Sequence, residues 1–431
     1  MSSEVVDPGV RARMAARGFL GWPMVGVAFV AQFVANGLTL AVIGNFVGPV
    51  SSDFGVSPSL IGIAPGLALI VMGVMGPLVG RALDSGWTRQ MMTLGAMLTG
   101  VGLVVLSRAT EIWQLGVCYV LLVALGASMF GSLPSMALVT TWFVRRRGFA
   151  LGLAVAGATL ASWVAPATAQ WIIDEYDWRR AAFAFGVFTL MVGVPTFAMF
   201  VVPSPEVVGQ APDGDDVRVA ESESAAAEVT SSAASMLPIG ELVRDARLWL
   251  AAVGFALVLT SPVVLTVILV RFGESLGFTG QEATAFFLSM VPFSLAGKVV
   301  IGGLADVAPL RPSILLIVVV NVIVWAILWT EPSYTLFMVT GAIYGIGIGG
   351  AAPLQGVLFG RLFGRVNFGR ASGLGGLAAI PLLAAANFGS QVLLGATGSY
   401  RLIFVVQIGL LLSGGALLAL IQIPPAERPS A

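Results

Sequence analysis

The sequence predicts an all-α polytopic membrane protein with twelve transmembrane helices in two pseudo-symmetric six-helix bundles. Three observations carry this expectation. Of 431 residues, 57% are apolar and only 10% charged, where an average soluble domain has about 25% charged residues. Twelve continuous apolar stretches, near the length that crosses a bilayer, follow one another along the chain. Short motifs recur 222 residues apart.

The same composition excludes several function classes. Basic and acidic residues number 22 each, so there is no net charge and no basic field to attract nucleic acid. There is no His and one Cys, Cys118. That removes His acid–base chemistry, Ser–His and Cys–His nucleophile pairs, most zinc sites and any intrachain disulfide. No enzyme activity, cofactor or metal is expected.

Residues 1–21 form a polar N-terminal tail with Arg11, Arg13 and Arg17. The apolar run at 22–50 exceeds the apolar core of about 7–15 residues in a cleaved signal peptide, so it is a first span that stays in place. The remaining spans are expected near 60–79, 91–106, 112–143, 149–173, 181–203, 248–270, 283–304, 313–330, 334–360, 371–396 and 402–423. Continuous runs of this length are helices, not barrel strands. The expected organisation is an N-terminal bundle over 22–203, a cytoplasmic linker over 204–247, a C-terminal bundle over 248–423 and a tail over 424–431.

With the N-terminus inside, sixteen Arg fall in inner segments and five in outer loops. This asymmetry places both termini in the cytoplasm of a cell-membrane protein. Residues 204–240 carry Asp213, Asp215, Asp216, Glu221, Glu223 and Glu228 and no aromatic residue. Such a segment cannot bury enough apolar surface to order itself, and a flexible tether is expected.

The internal repeat joins Gly80 and Asp84 to Gly302 and Asp306, and Trp178-Arg179 to Tyr400-Arg401, all 222 residues apart. Pro134 and Pro353 differ by 219. Several such coincidences indicate a duplicated six-helix unit.

At these residues the chain resembles the major facilitator superfamily, whose loop between spans two and three carries a Gly-x-x-x-Asp-x-x-Gly-like signature. Here that loop reads Gly80-Arg-Ala-Leu-Asp84-Ser-Gly86-Trp-Thr-Arg89. The stretch from Trp142-Phe143 through Arg145-Arg146-Arg147 and Gly148 to Gly157 is similar to the fifth-span signature of monocarboxylate porters and oxalate–formate antiporters. Gly21-Trp22 is similar to the same branch. Three departures stand out: span one lacks that group's Lys, Ser294 stands where an Asp is common, and span eleven has no Lys. The resemblance implies alternating access, a small-molecule substrate and protons or a counter-anion as coupling partners. A monomer in the lipid bilayer is expected.

Asp84, Arg89, Arg145, Arg147 and Asp306 are the expected gating residues, with Asp84 capping a helix end and pairing with Arg at the inner surface. Gln32 and Asn36 share one face of span one at i, i+4, as do Asn387 and Gln391 on span eleven. With Tyr119, Ser294 and Tyr344 they form the candidate polar path, since the resemblance puts spans one, four, seven and ten on the central route. Each amide or hydroxyl alone could equally bridge two helices.

The sharpest candidate is Lys298, the only Lys in a chain with 21 Arg. It lies eight residues before Asp306, about 12 Å along a helix. A charge near mid-span costs on the order of 2.5–3.5 kcal/mol even on the lenient scale, and such a group faces a cavity or a partner. The resemblance places a basic residue here too, four positions before Gly302. These residues predict a secondary transporter of a small organic anion, a monocarboxylate above all, with Lys298 as the carboxylate site. The alternative is a transporter of a neutral or cationic solute, of the drug-efflux type; a membrane enzyme or sensor fits less well.

Overall fold

The computed structural model describes residues 18–215 and 236–423. Among them every regular element is helical. Eleven helical stretches are long and apolar enough to cross a membrane, and ten are single passes of between 19 and 34 residues. The eleventh, Tyr334–Thr397, has 64 residues, which is about 96 Å at 1.5 Å per residue. That is roughly three times the hydrocarbon core. It is two spans joined at Gly364, whose backbone leaves the helix at φ 68° and ψ −179°. Only glycine adopts this conformation readily. Spans ten and eleven thus meet with no loop between them, and the described residues hold twelve candidate passes.

Two compact units result. The first comprises the described residues through Met236 together with Phe363–Gly373; the second comprises Leu237–Leu362 and the described chain from Leu374 on. The first residues of span eleven therefore cluster with the first unit.

The repeat is visible in where helices begin. N-caps fall at Trp87 and Pro309, at Glu111 and Ser333, and at Asp177 and Ser399, each pair 222 residues apart. Outer contacts follow the same register. In the first unit Arg179 donates to the Ala109 carbonyl at 3.1 Å, and in the second Arg401 donates to Glu331 at 3.1 Å. Arg179 also pairs with Asp53 and lies over the Trp178 ring, 4.4 Å from its centroid.

The sequence reading did not foresee three π-helical segments, all in the first unit: Phe33–Ala41 in span one, Tyr119–Ala124 in span four and Thr189–Gly193 in span six. The wider turn spaces backbone hydrogen bonds at i to i+5. Two of these segments are joined side by side, because the Tyr119 hydroxyl donates to the Thr39 carbonyl at 2.8 Å in a buried contact. Tyr119→Phe is expected to cost about 1–3 kcal/mol by leaving that carbonyl unmatched. A lowered thermal midpoint of the purified protein would report it.

The expectation of a flexible tether is corrected over 204–215. Pro205, Val208 and Ala211 are buried, and Pro205–Val208 and Pro212–Gly214 form short 3₁₀ turns. Gln210 bonds residue 18 and residue 20 backbone at 2.9 and 3.1 Å. Apolar anchors spaced among the acidic residues supply burial that composition alone hid. Ile239–Arg244 adds a short helix before span seven, Ala246–Ser275, which is capped by Asp245. Asp216, Glu221, Glu223 and Glu228 lie outside the described residues.

Candidate functional site

The second unit is built around a close crossing of span eight, Gly280–Val307, with the Tyr334–Gly349 helix. A Cβ on Gly345 would run into the Met290 carbonyl, and one on Gly349 into the Ser294 carbonyl and, at 3.1 Å, the Lys298 nitrogen. The two helices touch backbone to backbone at the turn that carries Lys298 and Ser294. Ser294 is buried there, while Lys298 is partly exposed. From Ala283 to Ala305 this helix carries no acidic residue.

Next to this crossing lies a buried polar network that sequence reasoning missed in part. Ser261 accepts from the Trp325 indole at 2.8 Å, donates to Asn321 at 3.3 Å and meets the Tyr344 hydroxyl at 3.2 Å. Tyr344 is only 1% exposed. Expected on the polar path, its hydroxyl is instead spent on a helix-to-helix contact in this conformation. Asn321, isolated in an apolar run of span nine, was the sequence signal for the network. A second buried pair, Gln407 to Thr260 at 2.7 Å, ties spans twelve and seven.

In the first unit Asn36 donates to Gln32 at 2.9 Å, as their spacing predicted, and Ser132 donates to the same Gln32 oxygen at 3.2 Å. Span one and span four are thereby bridged by amide and hydroxyl. Asn387 is exposed and Gln391 partly so, and the Asn387 carbonyl accepts from Ser390 at 2.7 Å. Each unit holds an apolar cavity: one lined by Leu38, Thr39, Phe46 and Tyr119, the other by Thr260, Leu382, Ser390 and Gln407. Of the expected substrate residues, only Tyr119 lines either of these. No cluster of metal-ligating side chains occurs among the described residues.

The expected gating residues divide sharply. Asp84 sits at the end of span two, Ile63–Asp84, and its carboxylate accepts the backbone N–H groups of Gly369 and Arg370, both at 3.1 Å. It also faces the Arg370 guanidinium at 3.5 Å, with side-chain exposures of 3% for the acid and 11% for the base. The carboxylate thus binds backbone and guanidinium of the helix that follows the Gly364 break. Gly80 makes it possible, because a Cβ there would overlap Gly369 backbone. Arg89, the other expected gating residue of this loop, is exposed at the start of span three; the Arg that Asp84 meets is Arg370, because Gly369 brings that backbone into contact.

Arg147 is buried, its Nε donating to the Phe143 carbonyl at 3.0 Å, and so holds the start of the 29-residue span five. Arg145 is exposed and pairs with Asp215. In the second unit Asp306 lies within electrostatic reach of Arg361, which donates to the Ala305 carbonyl at 2.9 Å. Sequence reading named neither Arg361 nor Arg370 as a gating residue. Arg365 pairs with Glu206 at 2.8 Å and donates to the Thr141 carbonyl at 3.2 Å. Burial pushes the Glu206 carboxyl up, but the Arg365 charge together with hydrogen bonds from Ser204, the Glu206 backbone and Arg365 outweighs it and holds its pKa below the usual range.

Comparison with known proteins agrees with this architecture. The model of the Major Facilitator Superfamily matches residues 28–321. Monocarboxylate transporter 13 of Bos taurus is 27% identical over 416 residues, 93% of this chain and 89% of that protein. Monocarboxylate transporter 2 of Rattus norvegicus is 25% identical, over 92% of this chain and 82% of its own length. An MFS-type transporter of Gibberella moniliformis is 30% identical over a shorter stretch, 44% of this chain. The chain spans 45% of that transporter and 38% of mouse Monocarboxylate transporter 14, less than half of either. The crystal structure of the human organic anion transporter MFSD10 superposes with a TM-score of 0.65 at 14% identity, covering 93% of this chain and 99% of that one. Twelve apolar passes, a register of helix starts and a family match over most of the chain converge: the chain belongs to the Major Facilitator Superfamily and resembles its monocarboxylate-transporter branch.

Proposed function

We propose that the protein is a secondary transporter of a small organic anion, a monocarboxylate above all, working by alternating access in the cell membrane with both termini cytoplasmic. The observation that carries this is Lys298: the only Lys of the chain, inside span eight and partly exposed, on the turn where that helix crosses the Tyr334–Gly349 helix. A compact ammonium at that depth suits a carboxylate. Relatives named as monocarboxylate transporters over most of the chain support the same solute class. Gln32, Asn36, Asn387 and Gln391 supply the neutral polar groups that a hydrated anion needs along its route.

Labelled lactate, pyruvate, formate and oxalate, offered to proteoliposomes holding the purified protein, should accumulate faster than in protein-free vesicles. Lipophilic cations should not. Uptake of the cations alone would replace this reading with the drug-efflux alternative.

Asp84 is assigned to the gate, holding Phe363–Gly373 through two N–H groups and Arg370. Asp84→Ala is expected to slow turnover about tenfold or more, the scale of a lost buried ion-pair partner, and to leave solute affinity nearly unchanged. A large loss of affinity at normal turnover would contradict the gate assignment.

A further inference from the structure

The segment 204–215 does more than follow span six. Asp213 holds the turn between spans four and five by its carboxylate: Oδ2 accepts the N–H groups of Val144 and Arg145 at 2.9 and 2.8 Å, and Oδ1 accepts that of Arg146 at 3.3 Å. Three successive N–H groups converging on one carboxylate form an anion-binding nest, placed just before a long helix whose start favours negative charge. Here the anion belongs to the chain itself. Asp215 adds an ion pair to Arg145.

Asp213 occupies the left-handed region, with φ 58°. A non-glycine residue persists there only when surrounding contacts impose it. Gly214 packs on the Phe19 ring, which meets Trp142 at a tilt and Phe143 edge-on, with centroids 5.9 and 5.5 Å away. Val208 and Ala211 are buried at 3% and 4% exposure. At its other end the same segment carries Glu206, paired with Arg365 within Phe363–Gly373. Eleven consecutive residues, 205–215, therefore grip two separate parts of the first unit, through the Glu206, Asp213 and Asp215 carboxylates at the polar contacts and through buried Pro205, Val208 and Ala211 between them.

We propose that residues 205–215 are a releasable latch, seated in the Val144–Arg146 nest by Asp213 and holding Phe363–Gly373 through Glu206. Any movement of Phe363–Gly373 away from the rest of the first unit must break the Glu206–Arg365 pair, and any unseating of Asp213 loosens that pair from the other side. Seating is electrostatic at solvent-exposed groups, so salt weakens it. Release relieves the strained backbone at Asp213, which keeps the seated state from being irreversibly favoured. The proposal is independent of which solute is carried.

The test uses the full-length protein with Cys118→Ser and a single reporter, Val208→Cys, whose alkylation by a water-soluble maleimide reads how often the latch opens. Ala211→Cys serves as a second reporter should the first not fold. Asp213→Asn is expected to raise the alkylation rate about tenfold. Arg365→Gln should raise it about two- to fivefold, the range for a partly exposed ion pair. Raising ionic strength should speed the parent chain and leave Asp213→Asn less affected. Ala154→Cys, buried in span five at 0% exposure, should stay unreactive throughout. A reporter rate indifferent to Asp213→Asn and to salt would overturn the proposal and make 205–215 a fixed part of the bundle. Equal acceleration at Ala154→Cys would overturn it as well, because the variants would then be unfolding the unit.

Discussion

Lys298→Met is expected to reduce anion uptake in reconstituted vesicles by a factor of about thirty to a thousand or more, while the protein still inserts and elutes as wild type. The figure follows from the cost of truncating one partner of a desolvated, hydrogen-bonded charge pair, about 2–5 kcal/mol. Met keeps the unbranched apolar stem, so packing beside Ser294 and Gly349 is nearly conserved. Lys298→Arg separates charge from shape. Its planar fork keeps the charge but presents it differently from a compact ammonium. Partial uptake with altered preference between one- and two-carboxylate solutes is expected. Transport at the wild-type rate by Lys298→Met would remove the main physical support for an anion site in span eight. The chain would then be better read as a carrier of neutral or cationic solutes.

Gly349→Val, and equally Gly345→Val, should cost at least about 1–3 kcal/mol, the usual penalty for overpacking. Here the obstacle is backbone: the Ser294 carbonyl and Lys298 nitrogen at one position, the Met290 carbonyl and Ser294 nitrogen at the other. A side chain can rotate away and a helix backbone cannot, so the crossing itself must open. Opening it shifts the turn that carries Lys298. A marked drop in thermal midpoint and in yield of folded protein should follow. Gly376→Val is the control, since nothing lies within 4 Å of a Cβ there. If both classes of variant behave alike, the close crossing of spans eight and ten is not what stabilises the second unit.

The apolar runs made the spans legible, because a bilayer imposes length and polarity on every pass at once. The repeat was legible because helix starts and their polar caps survive duplication better than the apolar residues between them. Contact partners were not legible. Gly62/Gly66 and Gly345/Gly349 read identically as small-xxx-small pairs, yet nothing lies within 4 Å of a Cβ on Gly66 while Gly345 and Gly349 meet span eight directly. A pattern on one helix does not say which neighbour arrives. Asp84 was recognisable as an acid that would pair with an Arg, but nothing in its own loop pointed to Arg370, 286 residues away, as the one bonded. The latch was hidden for a different reason: averaged composition counts seven acids over 204–240 and misses three buried apolar anchors set among them.

The three π-helical segments bear on how such a chain changes over evolutionary time. From the N-cap Glu111 to Pro134 the first copy runs 23 residues, whereas from Ser333 to Pro353 the second runs 20. The copies return to register by Asp177 and Ser399. The additional residues of the first copy fall in the interval where span four widens into Tyr119–Ala124 and then breaks between Ser128 and Ser132. In water an inserted residue bulges out as a loop and hydrogen-bonds to solvent. Within a membrane an exposed bulge would leave its N–H and C=O unmatched at several kcal/mol each, so the helix absorbs the residue by loosening its pitch. A wide turn is therefore the form in which a span can carry a residue more than its counterpart without leaving backbone groups unmatched.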